Sequence, residues 1–334
     1  MKSILYIIPY FGKLPNNFEL YLKSCEYNTT VDWLLFTDDR TEYAFPSNVK
    51  VIYTSFEKIR DKIKALYDFE ICLDEPYKIC TYKPAYGEIF AEYIKEYDFW
   101  GHCDIDLIWG DIRKFYTDEV LTAYDKIGWR GHSTLYRNNS EINSRYRLEV
   151  NGQGLFYEEA KSKRVKGFDE EGMMRIYEDN GWDYYRKVDF AHPAATNYNF
   201  RLKHLPEDEE YKNKYQLFRW TNGRLYRIYV YNEALHQEEM MYIHFFRRLM
   251  DIEINTYDDD YIILPHMIIN AGDVKLDIDY IVRNNRDSRI KYYCRLISDK
   301  RKLGKFKLKY IIPSLCARLG KMCSGVFRNK IGVL

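Results

Sequence analysis

Phe99-Trp100-Gly101-His102-Cys103-Asp104-Ile105-Asp106-Leu107-Ile108-Trp109-Gly110-Asp111 is the stretch on which the fold turns. An aromatic and apolar run carries two carboxylates one residue apart, then a glycine and a third acid. In a strand, residues i and i+2 project from one face, so the spacing predicts Asp104 and Asp106 pointing together at a strand end. Two anions held that close repel each other unless a positive charge lies between them. A divalent cation carrying a diphosphate meets the need, because Mg²⁺ and Mn²⁺ take carboxylate and phosphate oxygens together. Ordinary solvated aspartates at a strand end are the rival account.

The flanks of this stretch supply the rest of an α/β domain. Ile4-Leu5-Tyr6-Ile7-Ile8 is a short apolar run without alternation, as a parallel strand buried on both faces requires. Asp32 to Thr37 and Val49 to Tyr53 read as two further strands. Between and after them, Asn17 and Ser55 are placed to cap helices, the first with Phe18, Leu22 and Cys25 on one stripe. The order β-α-β-β-α opens an α/β fold with a mostly parallel central sheet flanked by helices. A helix is predicted over Tyr86–Tyr97, with Pro84 in its first turn, and another over 112–124. Open sheets of this kind bind ligands at the carboxyl ends of their strands, which is where Asp38, Asp39, Asp104 and Asp106 fall. Farther on, Gly128 to His132 reads as a strand and about 135–180 as a polar, loop-rich region. Asn222-Gly223 reads as a hairpin turn, and Tyr261 to Pro265 as a last strand.

Composition narrows the classes. The 334 residues are 46% hydrophobic and 30% charged, which fits a folded globular chain with a sizeable core. Seven scattered cysteines, an odd number with no C-x-x-C pair, argue for reduced thiols and against a thiolate zinc site. The N-terminus carries no recognisable secretion signal, and no apolar run reaches the roughly 18 residues of a membrane span. Gly-rich fingerprints for dinucleotides or P-loops are missing, which counts against a dehydrogenase or a kinase. Net charge is +1, yet residues 283–334 hold 15 Lys or Arg against two acids, leaving 36 basic and 48 acidic residues for the first 282. The expected division is therefore a body of 1–282 and a basic, amphipathic helical extension of 283–334.

The run "FWGHCDIDLIWGDI", preceded by "YKICTYKPAYGEIF", resembles bacterial glycosyltransferases of the GT-A type, within an uncharacterised-domain family found in capsule and lipopolysaccharide gene clusters. The blocks "ILYIIPYFGKLP", "DWLLFTDD" and "YIHFFRR" match the same pattern in order, over roughly residues 1–270. The resemblance implies a GT-A-like fold and a nucleotide-sugar-dependent transferase with a diphosphate bridged by Mn²⁺ or Mg²⁺. By the same resemblance Asp104 lies near the ribose or a water of the metal, and Asp106 is a direct ligand. His244 is a late metal or phosphate ligand, and Thr37, Asp38 and Asp39 border base and ribose.

Further residues are singled out by their own chemistry. Lys83, in a Tyr-Lys-Pro segment before a helix, suits a phosphate or base contact, and Arg247 and Arg248 are alternative cationic donors. An inverting transfer needs a carboxylate to take the acceptor hydroxyl's proton. Asp169 and Glu170, in an acidic trio with Glu171 between glycines, are the candidates; helix first-turn acids are the alternative account. His102, His132 and His192 are read as core or surface residues. The tail can lie on an anionic bilayer, bringing the body to a lipid-linked glycan at the inner face of a bacterial membrane, or dock on an acidic partner. No nucleic-acid module accompanies it, so nucleic acid is not expected. A Mg²⁺-dependent nucleotidyltransferase or phosphohydrolase, and a non-catalytic carbohydrate-binding protein, are the competing functions.

Overall fold

The structure, a computed structural model, describes residues 1–194, 197–246, 248–254 and 259–302. Two compact units are present: Met1–Ala195 with Asn199–Arg286, and Thr196–Tyr198 with Asp287–Leu334. In the second, the helix Arg289–Lys302 is preceded by Asp287, whose Oδ1 accepts from the backbone of Tyr198 at 3.2 Å. Most of the basic extension, residues 303–334, lies outside the described residues, as does Arg247.

The first unit opens with β1 (Ile4–Pro9), β2 (Val31–Thr37), β3 (Val49–Tyr53) and β4 (Phe99–Cys103). After β5 (Leu107–Trp109) follow β6 (Lys126–Arg130) and β7 (Ser133–Arg137). All but β5 form one sheet in the order β3-β2-β1-β4-β7-β6, in which β1 pairs in parallel with both β2 and β4. The sheet is mixed, because β7 runs antiparallel to β4 and to β6. Period-2 alternation fills a core on each face. Leu5, Ile7, Leu34, Phe36 and Trp100 point to one side, and Ile4, Tyr6, Ile8, Trp33 and Leu35 to the other. The apolar runs of β1 and β2 carry no alternation because both faces are covered.

Two more sheets complete the unit. After β8 (Phe190–Ala191) come β9 (Gln216–Thr221), β10 (Arg224–Tyr231), β11 (Ala234–Met240), β12 (Tyr242–His244), β13 (Asp251–Glu253), β14 (Asp260–Ile263) and β15 (Met267–Asn270). A second six-stranded sheet, largely antiparallel, has the order β11-β10-β9-β14-β15-β13. Asn222 (φ 46°) with Gly223 (φ 78°), and Asn232 (φ 47°) with Glu233 (φ 56°), make its two-residue turns, which need left-handed backbone at both positions. A third sheet, β5-β12-β8, has only three short strands. The mostly parallel arrangement expected from the sequence holds for β3-β2-β1-β4 alone.

Several local expectations are corrected. Ser55 caps its helix through the backbone N–H of Lys58, but Asn17 makes no side-chain cap. Of the helix predicted over Tyr86–Tyr97 only one α-turn forms, Tyr86–Ile89, after a 3-10 segment, Pro76–Ala85, and turns follow it. Aromatic and β-branched residues are indifferent helix formers, and here Tyr86, Ile89, Phe90 and Ile94 reach the core from turns. The span 112–124 is two helices, Ile112–Phe115 and Asp118–Ala123, because Thr117 starts a new cap on the Val120 N–H. Residues 133–137, assigned in part to a polar loop region, are the buried strand β7.

Candidate metal centre and active site

The order β2-β1-β4 sends the chain away from β1 in opposite directions, and the carboxyl ends of β1 and β4 border the crevice this creates. A cavity of about 820 Å³ opens there, with residues just after β1 (Tyr10, Phe11) and just after β4 (Asp104, Asp106) in its walls. That volume is within the usual range of small-molecule sites.

Asp104 and Asp106 do not sit on a strand as the spacing predicts; they bracket the bend between β4 and β5. Their convergence comes from the three-stranded sheet. In the β5–β12 pairing His244 lies opposite Leu107, and the Phe245 N–H donates to the Asp106 carbonyl at 2.9 Å. The buried His244 thereby reaches both acids, with Nε2 3.1 Å from Asp106 Oδ1 and 3.5 Å from Asp104 Oδ2. Its Nδ1 is 3.1 Å from Nδ1 of His192, which follows β8 on the other side of β12. When His244 donates through Nδ1, its Nε2 lone pair faces two carboxylate oxygens, and a cation must lie among the three. Burial alone would lower the pKa of His244, but Asp106 and then Asp104 outweigh it and raise the pKa above the ordinary imidazole value. Two carboxylates and an imidazole with an oriented far nitrogen form a donor set that fits a divalent metal, Mn²⁺ better than the more oxygen-bound Mg²⁺.

Lys83 is buried beside this set and donates to Asp104 Oδ1 and to the Gly131 carbonyl, both at 2.7 Å. Burial pulls its pKa down, but Asp104 and Asp169 outweigh that and hold it well above the ordinary value, so the ammonium stays charged. Asp169 Oδ2 is 3.8 Å from the same nitrogen. Burial pushes the Asp169 carboxyl up to about 7, a rise that Lys83 only partly offsets. Glu170 is engaged elsewhere: it pairs with Arg130 at 2.8 Å and accepts the Gly131 N–H at 2.9 Å. Gly131 has no room for a side chain, since a Cβ there would overlap Asp169 Oδ2.

The remaining sequence-selected residues stand apart from the cavity or serve its frame. Thr37 is buried and accepts the Asp39 N–H; Asp38 accepts from Gly12 N at 2.7 Å and Asp39 from Leu14 N at 2.9 Å. None of the three lines the cavity; they hold the loop after β1, which does. The Leu14 bond first, and then one from the Thr41 hydroxyl, also lower the Asp39 pKa. Arg248 borders the cavity, yet its guanidinium bonds the carbonyls of Pro265, Ala194 and Asn199. Sequence reading passed over His132 and His192, both buried in the cavity wall. Burial first, then the neighbouring His244, holds His132 well below its ordinary pKa and His192 at about 3, so both are neutral. Phe246, beyond β12, takes a left-handed φ of 48° that a bulky residue rarely adopts, with its ring 5.0 Å from that of His192.

Among solved structures, the chain is similar to mouse xyloside xylosyltransferase 1 in its apo form, at 12% identity and a TM-score of 0.37 over 58% of this chain and 88% of that one. No curated protein matches it. The model of a family of unknown function (DUF6625) matches residues 6–272, and the chain belongs to that family.

Proposed function

We propose that this chain is a metal-dependent glycosyltransferase of the GT-A type. In this reading it moves a sugar from a nucleoside-diphosphate donor to a hydroxyl of a surface-polysaccharide or lipopolysaccharide intermediate. One observation carries the reading: Asp104, Asp106 and His244 aim one ligand atom each at a common point in the wall of a cavity of about 820 Å³. The ordered sequence blocks that resemble bacterial surface-glycan transferases supply the substrate class.

Mn²⁺, or Mg²⁺ in its place, would be held by Asp104, Asp106 and His244, and when bound supplies Lewis-acid stabilisation of the departing diphosphate. His192 holds the His244 ring, and Lys83 holds Asp104 while adding a fixed positive charge. Of the acidic pair, Asp169 is the better base, because its carboxyl titrates near neutrality and Glu170 is committed to Arg130. In an inverting transfer the acceptor oxygen bonds the anomeric carbon and its proton passes to Asp169. The bond to the donor phosphate oxygen breaks, and its electron pair stays on that oxygen. Thr37, Asp38 and Asp39 act by fixing the wall against which the nucleoside rests.

The test is incubation with a panel of nucleotide sugars and Mn²⁺. Release of nucleoside diphosphate, abolished by EDTA, supports the reading. Release of nucleoside monophosphate places the attack on phosphorus, and no turnover with EDTA-insensitive binding makes the protein a carbohydrate-binding one. No helix among the described residues is long and apolar enough to cross a membrane. We assign the basic extension the role of holding the enzyme on an anionic bilayer, so removing residues 303–334 should abolish sedimentation with anionic liposomes.

A further inference from the structure

A second set of ligand atoms lies beside the carboxylate set. His132, His192 and His244 are all buried, and one nitrogen from each falls within 4.8 Å of the others. Three different elements supply them: His132 ends the β6–β7 turn, His192 follows β8, and His244 ends β12. The rings are in mutual contact, with centroids 4.5 Å apart for His132 and His244, 5.1 Å for His132 and His192, and 5.0 Å for His192 and His244. Packing alone does not account for the polar atoms. Nδ1 of His132 is bonded to the Tyr242 hydroxyl at 2.9 Å, which fixes the ring, while its buried Nε2 has no hydrogen-bond partner among the described residues. An orphaned buried imidazole nitrogen gives up its hydration with nothing in return, so its retention calls for a ligand.

We propose that His132, His192 and His244 form a separate three-imidazole site for a borderline transition cation, Zn²⁺ being the type. Three imidazoles with a fourth position open to a cavity are the donor set such ions prefer, whereas Mg²⁺ and Mn²⁺ favour the oxygen-rich neighbour. Tyr242 takes the part of the outer-sphere group that orients a ligating ring. His244 belongs to both sets through opposite nitrogens, so a cation held by its Nδ1 leaves the proton of the neutral ring on Nε2, facing Asp104 and Asp106, where a second metal would need the lone pair. Zn²⁺ therefore displaces Mn²⁺ without resembling any substrate. The displacement rests on the function proposed above; the imidazole site does not.

The site is tested by titrating the metal-free full chain with Co²⁺ as a spectroscopic stand-in for Zn²⁺. The expected result is the intense visible absorption of a four-coordinate, nitrogen-bound ion, bleached by added Zn²⁺. His132→Gln and His192→Gln should each weaken Co²⁺ binding by at least ~10-fold, whereas an Asp104→Asn/Asp106→Asn double variant should keep the spectrum. Circular dichroism confirms that each variant is folded, and the spectrum of the parent decides the matter where one is not. A spectrum lost in the aspartate variant but kept in both histidine variants would mean one mixed site, and would overturn the proposal while leaving the transferase reading intact. Absence of four-coordinate absorption in the parent would also overturn it. The spectrum without turnover of any nucleotide sugar would sustain the site and remove the transferase.

Discussion

Lys83 donates to Oδ1 of Asp104 at 2.7 Å, and so leaves Oδ2 as the oxygen of that carboxylate turned toward His244. A single ion pair thus leaves one oxygen of Asp104 for the cation proposed above. It fixes the carboxylate before any metal arrives, which reduces the ordering that binding must accomplish.

Replacing Lys83 by methionine keeps the volume and removes the charge. The Gly131 carbonyl and Asp104 then lose their donor in a half-buried place, and the expected destabilisation is about 1–3 kcal/mol. The value lies below the cost of breaking a fully buried pair because the Asp104 side chain is 33% exposed and water reaches it. Urea denaturation of the parent and Lys83→Met at pH 7 measures it. A difference under about 0.5 kcal/mol would show that the pair holds nothing in place.

Asp106→Asn removes one anionic ligand and, in the metal-free protein, the carboxylate that pairs with the buried His244 at 3.1 Å. Mn²⁺ affinity should fall by at least ~10-fold, with the metal-free variant still folded by circular dichroism. Calorimetric titration with Mn²⁺ and with Mn²⁺ plus a nucleoside diphosphate is the measurement. Equal affinity in parent and variant would remove Asp106 from the ligand set.

The legibility of this chain depended on where the information lay. β1 and β2 could be read because doubly buried parallel strands are continuous apolar runs, the half-exposed edge strand β3 by its β-branched Val49, Val51 and Ile52, and Ser55 and Asn222-Gly223 because caps and tight turns have local chemistry. The carboxylate pair was visible for the same reason, although a bend and not the pleat brings the two acids together. What no local pattern announces is the pairing of β5 with β12 and β12 with β8, three strands of two or three residues each. Those ladders carry His192 and His244 to the acids. His132 sits in a turn between strands, and a lone histidine there has no periodicity to mark it. The second sheet was legible only in its β9–β10 hairpin and in β14, because an edge such as β11, Ala-Leu-His-Gln-Glu-Glu-Met, reads as a polar exposed segment.

Gly131→Ala tests whether the close approach of Asp169 matters. The new methyl group would meet Asp169 Oδ2 and crowd Glu170, so the carboxylate must turn away from Lys83. The expected outcome is a stability loss of about 1–3 kcal/mol from overpacking, with nucleotide-sugar turnover reduced by at least ~10-fold. Mn²⁺ affinity should stay close to that of the parent, because the atoms nearest the added methyl belong to Asp169 and Glu170 and not to Asp106 or His244. Turnover and Mn²⁺ affinity falling together would instead indicate collapse of the whole site.

Asp169 also gives the molecule a pH signature whose sign follows from burial. Its carboxyl is held up at about 7 in the folded protein, against about 3.9 in an unfolded chain. Between those values the native state binds the proton that the unfolded state has released, so this residue's contribution to stability is complete below about pH 4 and is lost as pH rises toward 7. Asp169→Asn cannot ionise and escapes that loss. Relative to the parent, the variant should gain on the order of 3–4 kcal/mol at most between pH 4 and pH 8, read from urea midpoints across that range. In turnover the effect is opposite. If Asp169 accepts the hydroxyl proton, the parent's rate rises through an apparent pKa near 7 as the carboxylate forms, and the asparagine variant loses that limb with most of the activity. A variant that keeps the rising limb would assign the proton transfer to another group.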